Sequence, residues 1–177
     1  GVFLVGLVLW GAWRDARANG QPLRASYFAG MLGESVVLAL LFGVVVGIIT
    51  ARVLGTLHAL ALAPMQQLDA PTRLMVSLGA GLYEELLFRV ILVSGLAAFA
   101  RVVCGFSPRV AGSFAVVLGA VIFSAFHYLG AYGDVFTVQS FVFRLIAGLF
   151  FSALYLLRGF GVVAWTHALY DVFLIFT

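Results

Sequence analysis

This chain has no lysine, one cysteine, four prolines and little charge of either sign, with Asp, Glu and Arg together making 10% of its 177 residues. Each shortage excludes something. The ten basic residues are all Arg and are scattered, so there is no electrostatic footprint for nucleic acid and no polybasic patch for anionic lipid, and the net charge is only +3. The lone cysteine, Cys104, lies between Arg101 and Arg109 and cannot close an intrachain disulfide. With 64% hydrophobic residues and a mean hydropathy of +1.15, the chain lacks the polar surface a soluble domain of this length needs.

What is present is a series of long apolar runs, at about Gly1–Trp13, Phe28–Thr50, Leu74–Ala100, Val110–Leu129, Val135–Leu157 and Gly161–Phe176. Each approaches the roughly 20 residues that cross a bilayer as a helix. The expected fold is therefore all-α, a polytopic transmembrane bundle of about six spanning helices forming one membrane-embedded domain over 1–177. A further apolar run, Val53–Ala63, has 11 residues and is too short to span, so an interfacial or re-entrant helix is expected there. The chain starts at Gly1 inside an apolar run, so the first helix is expected to be truncated. Trp10 and Trp13 followed by Arg14 and Arg17 read as an aromatic belt meeting a positive loop. With six spans, Arg14, Arg17, Arg24, Arg101, Arg109 and Arg158 fall on one side and only Arg52 and Arg73 on the other, which makes the first side cytoplasmic. The Arg-only basic set and compact chain fit a bacterial cytoplasmic membrane.

Ionisable groups inside such runs are costly unless they pair or line a wet recess, and they mark function by default. Gly81–Arg89 reads GLYEELLFR, with Glu84, Glu85 and Arg89 in one apolar stretch. On a helix Glu85 and Arg89 share a face, while Glu84 points about 100° away, so the two carboxylates can do different work. Glu85 with Arg89 makes an ion pair and leaves Glu84 facing a cavity. The FSAFH segment puts Phe123 one turn before His127, where its ring packs beside the imidazole, and HALYD puts His167 one turn before Asp171. Taken alone, the Glu–Arg pair is explained equally well, and His127 and the His167–Asp171 pair better, as buried polar contacts between helices. Three on separate helices bury their polar faces most cheaply by converging. Glu84, His127, His167 and Asp171 then activate a water and stabilise an oxyanion, or bind a divalent metal such as Zn²⁺.

The order EExxxR, FxxxH, HxxxD on successive apolar segments resembles the CPBP family of intramembrane proteases, which includes the type II CAAX prenyl endopeptidases and bacterial members linked to bacteriocin processing or self-immunity. The motif core covers about 74–177. The resemblance implies a glutamic-type peptidase acting on a membrane-associated protein or peptide, with Glu84 as general base, His127 as its partner in holding water, His167 and Asp171 at the oxyanion corner, and Glu85, Arg89 and Phe123 in support. It implies no cofactor, although a metalloprotease using Glu84, His127, His167 and Asp171 stays open. The prenyl endopeptidases usually carry Asn where this chain has Asp171, and an ionised carboxylate cannot donate to an oxyanion. Orientation of the His167 ring is the role expected of Asp171. Arg144, in the fifth apolar run, is expected either to contact substrate or to pair with Glu34 or Asp134. Two other readings stay open, a non-catalytic immunity or partner-binding protein and a proton-coupled carrier, the latter disfavoured by the lack of inverted repeats.

Overall fold

A computed structural model describes residues 25–55, 69–130 and 133–175, with Trp10, Arg14 and Arg17. The expected first helix and most of the short run Val53–Ala63, including His58, lie outside the described residues. Within them the fold is helical throughout: α1 (Ala25–Leu54), α2 (Ala70–Glu85), a π-helical segment (Leu86–Val93), α3 (Ser94–Val102), α4 (Pro108–Phe126), α5 (Val138–Arg158) and α6 (Phe160–Ile175). Residues 70–102 form one continuous rod, since α2, the π segment and α3 follow without a break.

The boundaries follow from local chemistry. Asp69, in extended conformation, and Pro71 in the first turn start α2. Gly105 at φ 69° turns the chain after α3, with the Phe106 N–H donating back to the Ala100 carbonyl at 3.0 Å, and Ser107–Pro108 opens α4. Thr137 caps α5 by accepting from the Ser140 N–H at 3.1 Å. Gly159, at φ 81°, ends α5 and lets α6 begin at the next residue.

About six spans were expected. Among the described residues three helices, α1, α4 and α5, are long and apolar enough to cross a membrane, and α6 is a shorter apolar helix of 16 residues. The rod over 70–102 has the length, but Glu84, Glu85 and Arg89 interrupt its apolar stretch. The outward faces agree with a lipid surround: Val37, Leu40, Leu41, Val44, Ile48 and Val53 on α1 are all exposed, a continuous apolar face that water would not tolerate. The chain is a membrane protein.

The core lies between α1, α5 and α6, around Phe42, Val46, Ala147, Phe151, Leu154, Val162 and Val163. Phe42 stacks on Phe151 at 4.5 Å and meets Tyr170 edge-on at 4.5 Å. The most extensive helix pairing is α2 with α6. It is tight at Gly81, where a Cβ would stand 2.5 Å from the Ala168 backbone nitrogen, so only glycine permits the approach that brings the Glu84–Glu85 pair beside His167.

At the opposite end, Arg158 donates twice to Glu34, at 2.6 Å each, and the Ser35 hydroxyl donates to the Val162 carbonyl at 3.3 Å. These contacts tie α1 to the α5–α6 turn.

Candidate active site

The three motifs arrive from three elements. Glu84 and Glu85 close α2, Phe123 and His127 stand at the C-terminal end of α4, and His167 and Asp171 lie at the middle of α6 and one turn beyond it. The π segment begins immediately after Glu85, and such segments are frequent where a helix serves a site.

A buried layer forms first. Glu85 and Arg89, 0% and 1% exposed, pair at 3.1 Å between Oε2 and Nε, a contact of charge without aligned hydrogen-bond geometry. The guanidinium carbon lies 4.4 Å from the Phe123 ring centre and 5.6 Å from that of Phe151, so two aromatic faces replace the water an arginine would otherwise hold. The other Glu85 oxygen, Oε1, lies 2.8 Å from His167 Nδ1, and Phe151 stacks on the His167 ring at 4.5 Å and 20°. An ionised Glu85 accepts from Nδ1–H, which fixes the ring and directs Nε2 away from the core.

Above that layer lies a rim of partly exposed groups: Glu84, His127 and Asp171 are 22–23% exposed, against 8% for His167. Glu84 Oε2 sits between the two imidazoles, 3.6 Å from His127 Nε2 and 4.0 Å from His167 Nε2, and makes no hydrogen bond to the described protein groups. The His127 tautomer follows from its neighbour. Its Nδ1 donates to the Phe123 carbonyl at 2.8 Å, so in the neutral ring Nε2 presents a lone pair. A carboxylate oxygen and an imidazole lone pair therefore face each other, both acceptors. Water, with two O–H groups, is the smallest species that satisfies both, and its own lone pairs are then free for attack.

Glu84, His127 and His167 thus share one small region, with Glu85 and Arg89 paired beneath as their spacing predicts. Phe123 contributes more than expected, since its ring meets His127 edge-on at 4.8 Å, His167 at 6.2 Å, and Arg89 by its face. Asp171 departs from expectation. The group that orients His167 is Glu85, at Nδ1, while Asp171 approaches the other nitrogen, Nε2, at 3.7 Å. Spacing along α6 pointed to Asp171, whereas the partner at Nδ1 comes from α2. Arg144 pairs with Asp134 rather than Glu34, whose partner is Arg158. Phe151 was missed, although it lies on the face of α5 that carries Arg144 two turns earlier, the signal that could have found it. Tyr170 packs in the core against Phe42. Among the described residues no three His, Cys, Asp or Glu side chains are arranged to hold a metal ion.

Neither a curated protein nor a solved structure matches the chain. Residues 66–173 match the type II CAAX prenyl endopeptidase Rce1-like family, a stretch that contains every group of the buried layer and the rim. With its apolar helices and acid–imidazole cluster, the chain belongs to the type II CAAX prenyl endopeptidase Rce1-like family and is, at that level, a CAAX-type intramembrane protease.

Proposed function

We propose that the chain is a glutamic-type endopeptidase that hydrolyses a peptide bond of a membrane-associated protein or peptide, with Glu84 and His127 holding the attacking water and His167 stabilising the oxyanion. The observation that carries this reading is the position of Glu84 Oε2 between the two Nε2 atoms, at 3.6 and 4.0 Å. Water donates to Glu84 and to His127 Nε2. As its oxygen adds to the scissile carbonyl carbon, its proton passes to Glu84, and the carbonyl π pair moves onto the oxygen as an oxyanion. Collapse expels the amine nitrogen, which takes the proton from Glu84. His167 serves as the doubly protonated ring, with Nδ1–H held by Glu85 and Nε2–H aimed at the oxyanion. Glu84, Glu85 and Asp171, all within 4.0 Å of that ring, balance its charge. Asp171 cannot itself donate while ionised, so its part is electrostatic.

The substrate reading, a CAAX-type peptide at a membrane surface, rests on the family, whereas the placing in a bacterial cytoplasmic membrane rests on composition alone. The test is Glu84→Gln in purified, folded protein, assayed on a prenylated Cys-aliphatic-aliphatic-X peptide. The expected loss in kcat is about 10²–10⁴, the worth of a positioned general base. Cleavage at the wild-type rate removes Glu84 from this role. Elemental analysis of the active protein decides the chemistry: stoichiometric metal, lost with activity on chelation and restored with it, would turn the same side chains into ligands.

A further inference from the structure

Next to the rim lies a polar cluster that the proposed hydrolysis leaves unused. Arg144, in the second turn of α5, donates from Nη1 to the Ser140 hydroxyl at 2.6 Å and to the Tyr128 hydroxyl at 3.1 Å. Its guanidinium carbon stands 5.3 Å from the Tyr128 ring centre, and Tyr128 in turn donates to Ser140 at 2.9 Å. The other arm of the guanidinium, Nη2, holds the Asp134 carboxylate. The cluster is joined to the site through the backbone, because the Asp134 N–H donates to the carbonyl of His127 at 2.9 Å. Gly133 makes that return possible, since a Cβ there would lie 2.7 Å from the Tyr128 carbonyl carbon.

Neutral acceptors on Tyr128 and Ser140 already fix the direction of Arg144. What the Asp134 carboxylate adds is occupancy of the charged arm, the geometry by which a guanidinium recognises any carboxylate. Arg144 and Asp134 are 16% and 29% exposed, so the pair, unlike Glu85–Arg89, is not sealed in the core. A peptide carrying a carboxylate into this region meets Glu84 and Asp171, both repulsive, and needs a cation to be tolerated.

We propose that Arg144 is an anion-recognising residue beside the candidate active site, and that Asp134 is an internal stand-in which the carboxylate of a peptide substrate displaces. The carboxylate is either the chain terminus or an acidic side chain. This rests on the peptidase reading of the same site, and the test keeps the two apart by measuring binding without turnover. Three prenylated Cys-aliphatic-aliphatic-X peptides are titrated onto detergent-solubilised Glu84→Gln protein: one with a free C-terminal carboxylate, its C-terminal amide, and the amide with Asp at X. The free acid is expected to bind at least about tenfold tighter than the plain amide, the worth of one charge-assisted contact. Recovery of affinity by the Asp-bearing amide would assign the contact to a side-chain carboxylate instead. Adding Arg144→Gln is expected to erase the preference, and adding Asp134→Asn, which leaves Arg144 in place, to enlarge it. Equal binding of all three peptides, or an Asp134→Asn protein that binds the acid no better, overturns the proposal. A wild-type protein that discriminates among the peptides yet cleaves none of them would instead overturn the hydrolytic reading.

Discussion

Arg89 is the residue whose environment is hardest to build and most informative. A guanidinium 1% exposed inside an apolar bundle is held by one carboxylate and two aromatic faces, and that carboxylate, Glu85, also holds His167. Removing the cation leaves Glu85 buried with only an imidazole to answer it. Arg89→Met is therefore expected to lower stability by about 3–5 kcal/mol, the cost of orphaning one member of a buried pair. In the double variant Glu85→Gln, Arg89→Met much of that stability returns, because both members of the buried pair are gone and His167 can stay neutral, while cleavage does not, because without the Glu85 carboxylate the protonated His167 that the mechanism uses is no longer supported. Thermal unfolding in detergent beside a cleavage assay reads both. If the double variant is no more stable than Arg89→Met alone, the pair is not the source of the cost. At this scale the Glu85–Arg89 pair was legible from the sequence because it is a matter of spacing within one helix. The Glu85–His167 bond was not, because it depends on how two helices separated by 82 positions are set against each other.

At the scale of elements, the contact between α2 and α6 decides whether the motifs meet. Gly81 allows it and Gly79, with nothing within 4 Å of a built Cβ, is indifferent to it. Gly81→Ala should cost about 1–3 kcal/mol by overpacking and reduce activity by displacing His167 from Glu85, whereas Gly79→Ala should be neutral or slightly stabilising, since alanine favours a helix. Equal effects of the two substitutions, measured as unfolding temperature and cleavage rate, would show that the close approach is dispensable. The five helical rods among the described residues were visible in the sequence because apolar runs of this length allow little else in a bilayer, and the expected limits lie within a few residues of those observed, as for Val110–Leu129 against Pro108–Phe126. The π segment was not visible. Eight residues reading LLFRVILV carry no polar periodicity that distinguishes one helical pitch from another.

On the scale of the whole molecule, the arrangement of charge is what remains to be fixed in space. The arginine distribution predicts that the turn between α3 and α4 faces the cytoplasm, and Cys104, exposed in that turn, is the chain's single thiol. A membrane-impermeant maleimide is expected to label Cys104 in inside-out vesicles and not in right-side-out ones, and the opposite pattern would invert the topology and the side from which substrate arrives. The two ends of the bundle also differ in how their ion pairs meet solvent. Glu34–Arg158 is open, with the arginine 55% exposed, while Glu85–Arg89 is closed off by Phe123 and Phe151. Mobile ions reach only the first, and at about 1 M salt the Debye length contracts to roughly 3 Å, less than the span of a loosened pair. Ionic strength therefore acts on these two pairs unequally: concentrated electrolyte slackens the clasp that joins α1 to the α5–α6 turn and leaves the Glu85–Arg89 pair beneath His167 untouched.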